Sequence, residues 1–179
     1  MPHWNFTIRH AKLEDSGELF DLVRAIEDIS PYLLDELREM NLGRSAFTAR
    51  LGRLLASPNS TVVVAEIAVH DTPRLCGYLF AVGGHISGIS HCVRVNGMGV
   101  LPDFRHQGVG LDILKFLEKW ARDAGLVRLD LNVALGNKAA REMYLKAGFE
   151  TEGVLRGAYQ FNGSIQDGWI MSKILANGQ

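Results

Sequence analysis

The chain has 179 residues, 47% of them apolar, which is enough to fill the core of one compact domain, expected to run from 1 to 179. Its formal net charge of -1, with 19 basic and 20 acidic residues interspersed, gives neither the basic stripe of a nucleic-acid binder nor a polybasic membrane patch. No run approaches the roughly 20 apolar residues of a membrane span, and the start lacks a basic region followed by an apolar stretch, so a cytoplasmic protein is expected.

Phe6 to Arg9 predicts a short strand. A helix capped by Asp15 or Ser16 follows, because Leu19, Leu22, Val23, Ile26 and Ile29 keep helical spacing up to Pro31. Leu33, Leu34, Leu37 and Met40 continue a helical region among acidic residues. A further helix, capped by Ser45, carries Phe47, Leu51, Leu54 and Leu55. The β-branched run Thr61 to Val69, a turn over His70 to Arg74 and a second run from Leu75 to Val82 predict a hairpin. After a glycine-rich loop, His91 to Val100 reads as another strand.

Gly108 to Ala124 is the clearest helix, with Val109, Ile113, Phe116, Leu117, Trp120 and Ala124 on one stripe and Gly125 as its stop. Val127 to Val133 reads as a strand. Asn137 then caps a helix carrying Ala140, Met143, Tyr144 and Ala147, which Gly148 closes with Phe149 available for a capping contact. The tail, Val154 to Phe161, Asn162-Gly163 and Ile165 to Ile174, carries a strong hairpin signal. An antiparallel first half therefore gives way to an alternating second half.

Cys76 and Cys92 both lie in apolar stretches and are expected to be buried, reduced thiols. The 6 histidines show no ligand spacing, so no metal is expected.

Chemistry concentrates between Val100 and Gly110, where Val-Leu-Pro-Asp-Phe-Arg-His-Gln-Gly-Val-Gly joins a strand directly to a helix. Unpaired N–H groups and the helix dipole converge at such a start and stabilise a phosphate, and Arg105 adds a forked cation. A dinucleotide fingerprint needs glycine where Ile113 stands, and no lysine follows either glycine as a P-loop requires. Arg105-x-x-Gly108-x-Gly110, with Val100-x-Pro102 before it, resembles the phosphate loop of the GNAT superfamily of N-acetyltransferases. Asn137, Ala140, Tyr144, Gly148 and Phe149 resemble that family's second block, Asn-x-x-Ala-x-x-x-Tyr-x-x-x-Gly-Phe. The stretch from Gly148 to Asp167 is similar to the branch containing amino-acid, ribosomal-protein and polyamine acetyltransferases.

The resemblance implies an α/β (α+β) GNAT fold, with a central mixed, mostly antiparallel twisted sheet that splays at the cofactor site and is flanked by helices. It implies acetyl-CoA (coenzyme A) as cosubstrate, and direct transfer to a primary amine or a protein N-terminus. The alternative is an inactive CoA-binding regulatory or interaction module. By the same resemblance Met98, Gly99 and Val100 pair with the pantetheine arm, and Arg105, His106, Gln107, Gly108, Val109 and Gly110 hold the pyrophosphate. Asn137 and Ala140 adjoin the cofactor, and Tyr144 protonates the departing thiolate as the catalytic residue. His106 departs from the family, which often has glycine there. Asn132 is a weaker candidate. Glu27, Asp28, Asp35, Glu36 and Glu39 cluster where relatives shape the acceptor pocket, and none is assigned as the base. A homodimer is implied through the C-terminal strands.

Overall fold

The computed structural model describes residues 5–32, 43–69, 72–161 and 163–175. The β-branched run near residue 61 forms the strand expected of it. Val62 and Val64 face one side of it, and Val63, Ala65 and Ile67 the other, so both faces of the sheet are apolar and both are covered by helices. The strands are β1 (Phe6–His10), β2 (Thr61–Val69), β3 (Thr72–Gly83), β4 (Cys92–Val100), β5 (Arg128–Ala134), β6 (Glu150–Phe161) and β7 (Ser164–Ile174). They form a 7-stranded sheet in the order β1-β2-β3-β4-β5-β7-β6. Every pairing is antiparallel except β4 with β5.

Helices α1 (Ser16–Glu27) and α2 (Arg44–Leu55) lie over one face. There Leu19, Val23, Ile26, Phe47 and Leu51 pack with Val62, Val64 and Tyr78. Helices α3 (Val109–Asp123) and α4 (Lys138–Lys146) bring Ile113, Leu114, Leu117 and Tyr144 to the core on the other face. Each fully buried Leu or Ile contributes roughly 1.5–3 kcal/mol, so this stripe holds α3 in place far more strongly than helix propensity does.

Position matters most along β4. It pairs with β5 only over Cys92–Val95 against Arg128–Leu131, and beyond Val95 the two strands part. The parting follows a bulge. Phe80 pairs with Gly97 and Ala81 with Val95, so Asn96 is the extra residue, and a bulge of this kind bends its strand. The expected splay is therefore present, between Asn96–Val100 on one side and Asn132–Ala134 on the other.

Several local expectations are corrected. Gly43, not Ser45, occupies the N-cap of α2, so Ser45 falls inside the first turn. Ile29 lies past the end of α1 and is exposed, and Ala124 is the exposed C-cap of α3, while Leu114 and Ala121 complete its buried face. Thr72–Arg74 belong to β3, paired to β2, rather than to a turn. The strand before the last hairpin begins at Glu150, earlier than Val154. Cys76 is buried but Cys92 is only half-buried. The readings on Leu33, Leu34, Asp35, Glu36, Leu37, Glu39, Met40, His70, Asp71 and Asn162 lie outside the described residues.

Candidate active site

The gap between β4 and β5 opens into a cavity of about 790 Å³. Its floor is the free edge of β4, with Asn96, Gly97, Met98, Gly99 and Val100 along it and Asn132, Val133 and Ala134 of β5 opposite. A strand edge without a neighbour presents N–H and C=O groups that an extended, amide-bearing ligand can pair.

At one end lies the loop into α3. Gly108 is the N-cap at φ 87, and the first bond of the helix runs from the Asp112 amide to the Gly108 carbonyl. The amides of Val109, Gly110 and Leu111 therefore have no carbonyl within the helix, and all three residues line the cavity. The dipole adds roughly half a positive charge at that point. Arg105 and His106 line the same end. The Arg105 Nε donates to the Val100 carbonyl at 2.8 Å, which ties the loop back to β4 and leaves the rest of an exposed guanidinium for an anion. His106 has φ 60, the left-handed region that favours glycine, and it is the loop position at which the family resemblance led to an expectation of glycine. Gln107 does not line the cavity, and its side-chain amide donates to the Asp103 carbonyl at 2.9 Å.

Helix α4 forms the adjoining wall. Asn137 caps it, its side-chain oxygen accepting from the Ala140 amide at 3.2 Å, and both residues line the cavity. One turn further on, Tyr144 is buried and also lines it. A Schellman closure holds the tyrosine: Gly148 turns at φ 86, the Phe149 amide donates to the Tyr144 carbonyl, and the two rings meet 5.7 Å apart. Burial, with Tyr159 nearby, pushes the Tyr144 phenol up to about 12, so it stays protonated at neutral pH. Gly110 has a different local reason from Gly108: a Cβ there would stand 2.5 Å from the Met143 sulfur, so its absence lets α3 and α4 approach.

The remaining wall comes from α1 and the residues just after it, α2, β3 and β6. Glu27, Tyr32, Phe47, Arg50, Tyr78, Phe80 and Tyr159 line it. Of the acidic cluster, Glu27 faces the cavity and Asp28 is exposed outside it. Sequence reasoning passed over Asn96, Arg50, Tyr32 and Tyr159. Only the Asn96-Gly97 pair inside a β-rich run carried a local signal, for a bulge.

The sequence profile of the Acetyltransferase (GNAT) family matches residues 26–149, and the chain belongs to this family. It is 28% identical over 151 residues to an amino-acid acetyltransferase of Azotobacter vinelandii, covering 83% of this chain and 28% of that protein. The chain thus spans little more than a quarter of that relative. It is 27% identical over 114 residues to aminoglycoside N(6')-acetyltransferase type 1 of Klebsiella aerogenes, 64% of this chain and 68% of that one. A GNAT superfamily phosphinothricin acetyltransferase from Sinorhizobium meliloti, solved in complex with AcCoA, shares the fold with a TM-score of 0.83 at 17% identity, over 97% of this chain and 90% of that one.

Proposed function

We propose that this chain is an N-acetyltransferase that moves the acetyl group of acetyl-CoA to a primary amine by direct attack, with no acyl-enzyme. One observation carries the reading: the strand gap, the open N-terminus of α3 and the buried Tyr144 share one cavity. The donor set suits coenzyme A, with amides and a guanidinium for the pyrophosphate and a bare strand edge for the amide-bearing arm.

In this reading Val109, Gly110 and Leu111, through their amides, bind the pyrophosphate with Arg105 and His106, and Gln107 contributes only through its backbone. Met98, Gly99 and Val100 orient the arm, with Asn137 and Ala140 beside it. Acetyl-CoA supplies a thioester, whose C–S bond breaks as the C–N bond forms. The Tyr144 hydroxyl donates to the leaving sulfur, and the proton lost by nitrogen restores the phenol. Because the phenol sits at about 12, it donates without prior ionisation.

The test is thiol release from acetyl-CoA across a panel of amines. Amine-dependent release that stops when the amine is withheld is the expected result. Coenzyme A binding without release for any amine would reduce the chain to a binding module. The terminal strand β6, with Val154 and Ile165 exposed on and beside it, supports a homodimer through this edge, which light scattering would read as twice the monomer mass.

A further inference from the structure

Resting on the reading of this cavity as the transfer site, we infer that the acceptor is a primary amine carried on an aromatic ring by a short chain, and that Tyr159 is a residue that selects it. The rings of Tyr32, Phe47, Tyr78, Phe80 and Tyr159 line the cavity on the wall away from the phosphate loop. They come from separate elements and are set by one another. On the β3 side, Phe80 meets Tyr78 at 5.4 Å and Phe47 of α2 edge-on at 6.3 Å. On the β6 side, Tyr159 stacks on Phe161 at 5.7 Å with the planes 10° apart, and Phe161 meets Tyr32 edge-on at 6.1 Å. A ligand ring held against either group extends a pattern of favourable ring pairs already present.

Tyr159 reaches the cavity because β6 carries extra residues. Leu155 pairs with Gly168 and Tyr159 with Gln166, so Arg156, Gly157 and Ala158 stand opposite Asp167 alone. Gly157 turns at φ 59, and its amide donates to Asp167 Oδ1 at 2.8 Å, which closes the bulge. The Tyr159 ring lies across β7: a Cβ on Gly168 would stand 2.5 Å from its Cε2 and 3.3 Å from the Val133 carbonyl oxygen of β5. The ring is thus brought from the edge strand to the border of the gap between β4 and β5. There it is near enough to Tyr144 to add to the effect of burial on that phenol. Re-aiming a side chain is what bulges beside a site do.

The surroundings sharpen the class. Among the described residues of this wall the charges are Glu27 and Arg50, and both already take part in interactions within the chain. What the wall adds beyond them is ring surface. A polyhydroxylated or polycationic acceptor would give up water against these rings without a matching set of polar partners. A ring-bearing amine gives up only apolar hydration there, which favours binding.

The experiment follows thiol release from acetyl-CoA by the full chain with phenethylamine, tryptamine, cyclohexylethylamine and ethylamine, and with phenylalanine, glycine, a diamine and an aminoglycoside. The ring-bearing amines should exceed ethylamine in kcat/KM by roughly 10- to 150-fold, the range for burying a large apolar side chain. Phenethylamine should exceed cyclohexylethylamine by roughly 2- to 12-fold, the share that belongs to ring pairing rather than to area. Phenylalanine exceeding glycine by the same margin as phenethylamine exceeds ethylamine would also support the inference, and the faster of the two aromatic acceptors identifies the source of the ring. Tyr159→Leu should raise KM more for the aromatic amines than for ethylamine, by roughly 2- to 12-fold, and Tyr159→Phe should keep the ranking. Thermal unfolding separates lost selection from lost folding, and if Tyr159→Leu does not fold, the wild-type ranking decides. Equal rates for ethylamine and the ring-bearing amines, a preference for the diamine, the aminoglycoside or glycine, or an equal effect of Tyr159→Leu on all acceptors would each overturn the inference while acetyl transfer stands. No amine-dependent release with any acceptor would overturn both readings.

Discussion

Tyr144 is held by burial, by its ring contact with Phe149 and by the closure at Gly148, so its hydroxyl can be removed with little disturbance of its place. Tyr144→Phe is expected to lower kcat by roughly 10²-fold, with the Kd for coenzyme A unchanged, as read by single-turnover kinetics and titration calorimetry. The same phenol carries a pH signature. Its folded pKa of about 12 lies above the unfolded value of roughly 10, so its contribution to stability is complete below about pH 10 and is lost as pH rises toward 12. Urea melts between pH 9 and 11 should show the wild type losing stability faster than Tyr144→Phe; parallel curves would contradict it. His106 is the opposite case, a non-glycine residue at φ 60. Replacing it by glycine should stabilise the fold by about 0.5–1 kcal/mol, net of the freedom glycine adds to the unfolded chain, or about 1–4 °C in Tm. A lower Tm would mean that the imidazole contributes contacts outweighing its backbone strain.

The contact of α1 with β4 explains why a glycine stands inside a strand. A methyl on Gly99 would meet Ile26 Cγ2 at 2.7 Å and Tyr78 Cε1 at 3.1 Å, so Gly99→Ala must push α1 outward or twist Tyr78. The expected cost is about 1–3 kcal/mol, read as a fall in urea midpoint at constant m. Trimming the opposing side chain by Ile26→Val should offset part of it, so the double variant should be less destabilised than the sum of the two. Additive losses would show that the two positions do not press on each other. The elements themselves were legible from periodicity, from the glycines after α3 and α4 and from the Asn137 cap, because these are local signals. Element ends were less legible. Ser45 looked like a cap and Ile29 like part of a stripe, since a sequence shows which residues can cap or pack but not where tertiary contacts stop a helix.

In the whole molecule, the gap between β4 and β5 leaves the two parts of the sheet joined by only a short parallel ladder, over Cys92–Val95. A ligand that fills the gap and touches α3 and α4 together ties both parts to one another. Coenzyme A at 100 times its Kd should raise the unfolding free energy by about 2.7 kcal/mol, and hydrogen exchange should slow at 96–100 and 132–134. Stabilisation with no change in exchange at those residues would place the ligand elsewhere.

The half of the cavity proposed to face the phosphates could be proposed from the chain because it is nearly contiguous: a loop, a helix start and one further helix turn lie within a few dozen residues. Their chemistry depends on backbone amides whose direction the helix sets. The opposite half was not readable. Glu27, Arg50 and Tyr159 are far apart in sequence and line one cavity only because the fold brings α1, α2 and β6 to its wall. That convergence is a property of how apolar faces fill the core. The residues of that wall therefore emerge from packing rather than from any motif.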